Sequence, residues 1–485
     1  MTMKNLKPAG VWNYFYELTQ IPRPSKKEEK VIAYLLEFAK KHNLEAQKDD
    51  AGNVLITKGA TKGKENLPTV ILQGHVDMVA EKNNDTVHDF ERDPIETYID
   101  GEWLKAKGTT LGADNGVGVA AALAILAADD IEHGKLECLF TVDEETGLTG
   151  AYALSKDMLK GDILINLDTE EEGELYIGCA GGKITTATFT YYKEDAPANY
   201  FWFRVDVKGL NGGHSGSEIH KGLGNANKIL TRYLWELNKK YDLVLAEIDG
   251  GNLHNAIARE AYAIAGVPYN KKESVIVSLN TLAPDIEAEL KAVDPKLKMT
   301  LESTDTPSFV IDKATTENLL NGLLACPHGV LGMSFEIPGL VETSTNMASV
   351  KMKEGNTIVI TTSQRSSTNS LKDYAGNIVN AVFTLAGANV VHSAGYPGWK
   401  PNPDSKILAV AKESYKNLFG KEPEIMAIHA GLECGLFLEK YPHLDMISCG
   451  PTIREAHSPD EKVHIPSVEK WWDLLLDILK NIPAK

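Results

Sequence analysis

Three predominantly apolar runs, Val70-Ile71-Leu72, residues 136–142 and residues 163–167, have no polar face, and helix-patterned segments separate them. Strands of this kind must be covered on both sides, which demands a mainly parallel sheet with helices on both faces, an α/β fold. The helices expected with it are residues 116–128 and a further one near 150–159. The same texture returns from about Pro401, with a helix at 405–419, another from near Gly431, the strand Met446-Ile447-Ser448 and a last helix at 467–480. Between these parts lies a polar, Pro-containing stretch at 193–199, followed by alternating strands such as 201–207 and 356–362. The chain has 485 residues, and single cores stop growing near ~250–300. The economical division is a core domain in two segments, 1–198 and 393–485, with an α+β domain, 199–392, inserted between them.

Composition narrows the partners. Lys plus Arg is 50 against 67 for Asp plus Glu, a formal charge of -17, which disfavours nucleic acid and anionic membrane, partners that need a basic face, so neither is expected. The longest apolar stretch, residues 117–128, is too short for a span of roughly 20 residues. The opening MTMKNLKPAG has no apolar signal region. Five cysteines are scattered without C-x-x-C, so a reducing cytoplasm is expected. Ser25 and Glu28 have the spacing of a capping box for the first clear helix. His42, His88, His133 and His443 read as surface histidines.

Chemistry concentrates where the strands end. Val70-Ile71-Leu72 runs into Gln73-Gly74-His75-Val76-Asp77, residues 136–142 into Asp143-Glu144-Glu145-Thr146-Gly147, and residues 163–167 into Asp168. Gly112-Ala113-Asp114-Asn115-Gly116 precedes the Ala-rich helix, and Glu455-Ala456-His457-Ser458-Pro459 follows the strand at Met446. In open α/β sheets, ligands bind outside the carboxyl ends of the strands. Two imidazoles with three carboxylates supply the N and O donors that zinc, manganese or cobalt accept. If one carboxylate bridges, five side chains can hold two ions roughly 3.5–4 Å apart. Another carboxylate must stay off the ions to take and return a proton. The adjacent Glu144 and Glu145 can divide these tasks.

In this order QGHVDMV, LGADNGVG, DEETG, NLD and EAHSP resemble the M20 family of di-metal peptidases, over nearly the whole chain. GGHSG (212–216), HNAI (254–257), QRSS (364–367) and HAGLECG (429–435) extend the likeness. HNAI and HAGLECG tilt it to the branch that cleaves Xaa-His dipeptides. The resemblance implies hydrolysis of dipeptides such as β-alanyl-histidine by a hydroxide held on two divalent ions, zinc first, with manganese and cobalt as alternatives. It implies His75 and Asp168 on one ion, Glu145 and His457 on the other, and Asp114 as the bridge. Asp77 would orient His75, and Glu144 would be the general base and acid. The insertion would be the family's lid on a catalytic domain. In it His214 would hold the oxyanion, Asn255 and Arg365 would bind substrate, and Arg365 would grip a free carboxylate in a bidentate manner. Backbone around Gly431 would line the same pocket. The expected partner is a dipeptide substrate, and the expected assembly a monomer or homodimer.

Other M20 activities share these residues: broad dipeptidase, tripeptidase and N-acyl-amino-acid hydrolase. A non-catalytic peptide-binding protein on this scaffold is expected to lack Glu144 or a ligand, and all are present. Nucleophilic serine chemistry lacks its motif, since Gly213-His214-Ser215-Gly216-Ser217 misses the final Gly of G-x-S-x-G. There is no H-E-x-x-H, and GCAGGK (178–183) is no P-loop. His254 and His429 adjoin these motifs without an expected role.

Overall fold

The computed structural model describes residues 3–484. The chain divides into two compact units, one of Met1–Gly178, Pro401–Ala427 and Leu432–Lys485, the other of Cys179–Lys400 and Ile428–Gly431. Among the described residues the first unit has an eight-stranded sheet. Its order is Glu45–Lys48, Val54–Lys58, Leu136–Thr141, Val70–His75, Ile163–Asn166, Asp445–Ser448, Glu174–Cys179, Glu424–Ile428. The four strands from Leu136–Thr141 to Asp445–Ser448 are parallel, and strands flanking them pair antiparallel. The three that carry the apolar runs are buried along their whole length, as strands covered on both faces must be. Register places Gln73 beside Asn166 and Gly74 beside Phe140. Parallel neighbours in register finish at one rim, so His75, Asp143 and Asp168 leave the sheet on the same side.

The helix Ala113–Ala127 is buried almost throughout. Each fully buried Leu or Ile on it contributes roughly 1.5–3 kcal/mol. Asp114 and Asn115 have non-helical dihedrals, and the peptide between them is cis. Regular helix therefore starts at Gly116, where the sequence pattern puts it. Close approach explains the glycines here. A Cβ on Gly74 would fall 2.3 Å from Asn115 Oδ1, and one on Gly118 would fall 2.7 Å from the Leu167 carbonyl oxygen. With those positions bare, the helix start presses against the strand ends and Asp114 arrives at the rim.

Two local expectations fail for tertiary reasons. The helix Glu29–Lys41 has no side-chain cap. Ser25 Oγ donates to Asp77 Oδ2 at 2.8 Å, and Glu28 Oε1 accepts from the Asp143 amide at 3.1 Å. Ser25 thus serves a distant acceptor, and Glu28 Oε1 divides between the distant Asp143 amide and the local Lys26 amide, the latter at 2.9 Å. His133, expected at the surface, is fully buried, with Nδ1 2.6 Å from the Gly134 carbonyl oxygen.

In the second unit the described residues form a nine-stranded sheet. Its order is Lys298–Ser303, Tyr200–Lys208, Ala261–Pro268, Val244–Gly250, Val341–Lys353, Thr357–Ser366, Gly181–Thr190, Asn389–His392, with Gly329–Met333 on Val341–Lys353. Its registered pairings are antiparallel. Phe203, Leu234, Val275, Leu320 and Phe383 share its core, where helices such as Ala226–Tyr241 and Asn369–Leu385 bury their apolar stripes. Gly181–Thr190 lies before the border expected at residue 199, yet it pairs along its whole length with Thr357–Ser366. Its partly alternating burial suits an antiparallel sheet with one covered face.

Candidate active site

The five expected ion ligands meet at the rim of the parallel strands. The His75 side chain is 1% exposed, and its Nε2 lies 3.1 Å from Asp114 Oδ1 and 3.3 Å from Asp168 Oδ1. His457 Nε2 lies 3.2 Å from Asp114 Oδ2 and 3.0 Å from Glu145 Oε2. Asp114 thus turns one oxygen to each imidazole. The side chains fall into two sets that share it: His75 with Asp168, and His457 with Glu145. Ligand atoms of His75, Asp114 and Glu145 all lie within 4.8 Å of one another. His457 occupies the left-handed region, φ 64°, an uncommon place for a residue with a Cβ. Such strain persists where a side chain must be aimed.

Asp77 supports this cluster from behind. Its Oδ1 lies 3.3 Å from His75 Nδ1. Oδ1 also accepts from the Glu144 amide at 3.1 Å, and Oδ2 from the Glu145 amide at 3.2 Å. One fully buried carboxylate therefore orients the imidazole and aims the turn carrying both glutamates. Burial raises its pKa, but hydrogen bonds from His75, Ser25 and the Glu144 amide outweigh this and hold it below the usual range. Asp77→Ala is expected to weaken metal binding about 10–100-fold, read by competition with a chromogenic chelator. An unchanged affinity would reduce Asp77 to a space-filling role.

Three further supports were not visible in the sequence. Glu461, 2% exposed, accepts from four consecutive amides: Leu111 at 2.7 Å, Gly112 at 2.9 Å, Ala113 at 2.7 Å and Asp114 at 3.2 Å. Arg23, equally buried, donates to the carbonyls of Val76 at 2.9 Å, Asp77 at 3.1 Å and Gly112 at 2.6 Å. Asn115 Nδ2 donates to the Leu167 carbonyl at 2.7 Å. Glu461 stands four residues after His457, close enough in the chain to invite notice. Arg23 and Asn115 carry no comparable signal.

The cluster holds more acid than its imidazoles balance. Burial, then repulsion from Asp114 and Glu145, pushes Asp168 up to about 7 against the pull of His75. Burial, with Asp168, Glu433 and Glu145 adding to it, raises Glu144 well above the carboxylate range despite His75. Beneath the rim, buried Glu433 accepts from Gln73 Nε2 at 2.6 Å and Thr141 Oγ1 at 2.8 Å. Two imidazoles only partly balance so many carboxylates. Glu145 Oε1 is also buried without a hydrogen-bond partner. The residues present fit two divalent cations, with a mixed N and O donor set typical of zinc, manganese or cobalt.

In the second unit His214, Arg365 and Gly431 share a neighbourhood. A Cβ on Gly216 would sit 3.0 Å from His214 Cε1 and 3.3 Å from Arg365 Nε. Arg365 Nη1 donates to Tyr396 Oη at 2.9 Å, and a Cβ on Gly431 would sit 2.9 Å from the Tyr396 ring. Asn255 joins through its backbone, its carbonyl accepting from the Ser215 amide at 2.8 Å. His429 has its Nε2 2.7 Å from Ser344 Oγ. Burial first, then the charge of Arg365, lowers His214 to about 4 and His429 to about 3. His214 is therefore neutral at pH 7, with one N–H to donate.

Residues 71–481 match the model of Peptidase family M20/M25/M40. The chain is 46% identical over 483 residues to the cytosol non-specific dipeptidase of Escherichia coli (strain K12), covering 100% of this chain and 99% of that protein. It matches the crystal structure of aminoacylhistidine dipeptidase from Vibrio alginolyticus with a TM-score of 0.93 at 44% identity, over 100% of this chain and 99% of that one. Likeness in fold alone extends to aminopeptidase PepT from Bacillus cereus, with a TM-score of 0.62 at 18% identity over 99% and 100% of the two chains.

Proposed function

The chain belongs to peptidase family M20/M25/M40, and from that membership we propose a dipeptidase that cleaves Xaa-His substrates such as β-alanyl-histidine. The two-cation part of this reading is carried by Asp114, with one oxygen 3.1 Å from His75 and the other 3.2 Å from His457, as a bridging carboxylate needs, and the Xaa-His part is supported by the 44% identity to the aminoacylhistidine dipeptidase. His75 and Asp168 would hold one cation and His457 and Glu145 the other. Such cations, zinc first among those the donors accept, would acidify a water and polarise the scissile carbonyl. Glu144 takes the proton of the attacking water and returns it to the departing nitrogen. Asp77 keeps His75 and the Glu144–Glu145 backbone in place. His214 donates to the oxyanion, a contact worth about 10²–10³ in rate in comparable sites. Arg365 takes the free carboxylate through its planar fork, and Asn255 and the backbone at Gly431 complete the substrate contacts.

The name of the E. coli relative, a non-specific dipeptidase at 46% identity, favours a second reading in which Xaa-His is one substrate class among several. A cytoplasmic location is proposed on that same name. No helix among the described residues is long and apolar enough to cross a membrane.

The test is release of free histidine from β-alanyl-histidine after chelation and reconstitution with zinc, manganese or cobalt, beside a panel of dipeptides without histidine. Metal should restore release. The Xaa-His reading expects kcat/KM at least about tenfold above the panel, within the reach of one side-chain pocket. Similar values across the panel would leave the broad dipeptidase. No metal-restored cleavage of any dipeptide would sink both.

A further inference from the structure

Arg365 is 8% exposed, and its Nε is buried without a hydrogen-bond partner. His214, His254 and His429 all feel its charge, which adds to burial in lowering their pKa values. Lys183 lines the same cleft of about 100 Å³ but is paired with Asp373. A buried guanidinium kept among neutral groups is unfavourable until an anion joins it. That Arg365 receives the substrate carboxylate is the reading given above, and the present inference rests on it.

Arg365 Nη1 donates to Tyr396 Oη at 2.9 Å. A phenol oxygen that accepts one hydrogen bond still has its own O–H to give. Tyr396 is held in place from several sides. Its amide and carbonyl both pair with Gly182, at 2.8 Å and 3.1 Å, and Lys372 Nζ donates to the same carbonyl at 2.5 Å. Its ring occupies the space a side chain would need at two glycines, since a Cβ would meet it at 2.6 Å from Gly182 and 2.9 Å from Gly431. Backbone thus sets the position of the hydroxyl, and Arg365 and Tyr396 line one cleft.

We propose that Tyr396 is the positioning partner of Arg365 and donates its own hydroxyl to the free carboxylate, so that the pair forms one receptor selecting a C-terminal acid over its amide. A carboxylate offers only acceptors to these donors. An amide is uncharged and sets N–H groups against them, a mismatch that discriminates strongly in a buried site. Preorganisation of the fork also spares the ordering of a long side chain on binding.

The test compares kcat and KM for β-alanyl-histidine and its C-terminal amide, using metal-reconstituted wild type, Tyr396→Phe, Arg365→Met and Gly431→Ala. Wild type should prefer the acid. Tyr396→Phe should raise KM for the acid about ten- to a hundredfold, lower kcat less, and remove most of the acid-over-amide preference. Gly431→Ala keeps the hydroxyl but presses on the ring, and should also erode the preference. If Arg365→Met loses the preference while Tyr396→Phe and Gly431→Ala keep it, Tyr396 is only packing and the inference is overturned, although the carboxylate reading stands. If Arg365→Met keeps the preference, or wild type has none, the carboxylate reading falls and the role of Tyr396 with it.

Discussion

Glu144→Gln is expected to lower kcat on every dipeptide the protein cleaves by about 10²–10⁴-fold while metal content stays at the wild-type level. The turn that carries Glu144 is unusually constrained. Asp143 sits at φ 51°, the amides of Glu144 and Glu145 bond Asp77 at 3.1 Å and 3.2 Å, and Glu145 Oε2 is already 3.0 Å from His457. Of two adjacent carboxylates, Glu145 is packed on His457, and Glu144 is the one proposed to move protons. Gln keeps the size and the backbone contacts but cannot accept a proton. The two expected results are measured separately, turnover by product release and metal by elemental analysis. A loss of under about tenfold, below the usual range for such a group, would mean that another base carries the proton. A matching loss of metal would move Glu144 into the ligand set.

Much of this was legible because the chemistry sits beside strong local signals. His75, Asp168 and the Glu144–Glu145 pair follow apolar strands directly, and parallel strands in register finish at one rim. Asp114 opens a helix whose Ala-rich pattern announces burial. The residues that hold those side chains in place were less visible because they act across the chain. Arg23 reaches carbonyls at Val76 and Gly112, and Glu461 reaches amides some 350 positions earlier. Ser25 and Glu28 show the opposite failure. Their spacing satisfies a local rule, yet Ser25 bonds Asp77 and Glu28 accepts from the Asp143 amide, and the helix has no side-chain cap. Tyr396 was invisible for a further reason: its position depends on two glycines, Gly182 and Gly431, far apart in sequence.

Glu461→Gln carries the second large expectation, because it removes a buried charge from four peptide groups at once. The two carboxylate oxygens each accept two amides between Leu111 and Asp114. Arg23 grips the Gly112 carbonyl on the same loop, so Gly112 is held at both its amide and its carbonyl. Gly112 has φ 69°, and a Cβ there would fall 2.6 Å from Arg23 Nη2, so the clamp also requires glycine. A glutamine has one oxygen and one NH2 group. Two amides would then lose their acceptor and face donors. Hydrogen bonds to a charged group contribute about 1.5–3 kcal/mol each, so the metal-free protein should lose about 3 kcal/mol or more of stability, read by denaturant unfolding. Asp114 would no longer be fixed between His75 and His457, and metal affinity should fall about 10–100-fold. Stability lost with affinity intact would show that Asp114 is positioned from the helix side, through Asn115 and Gly118, and that Glu461 serves the fold alone.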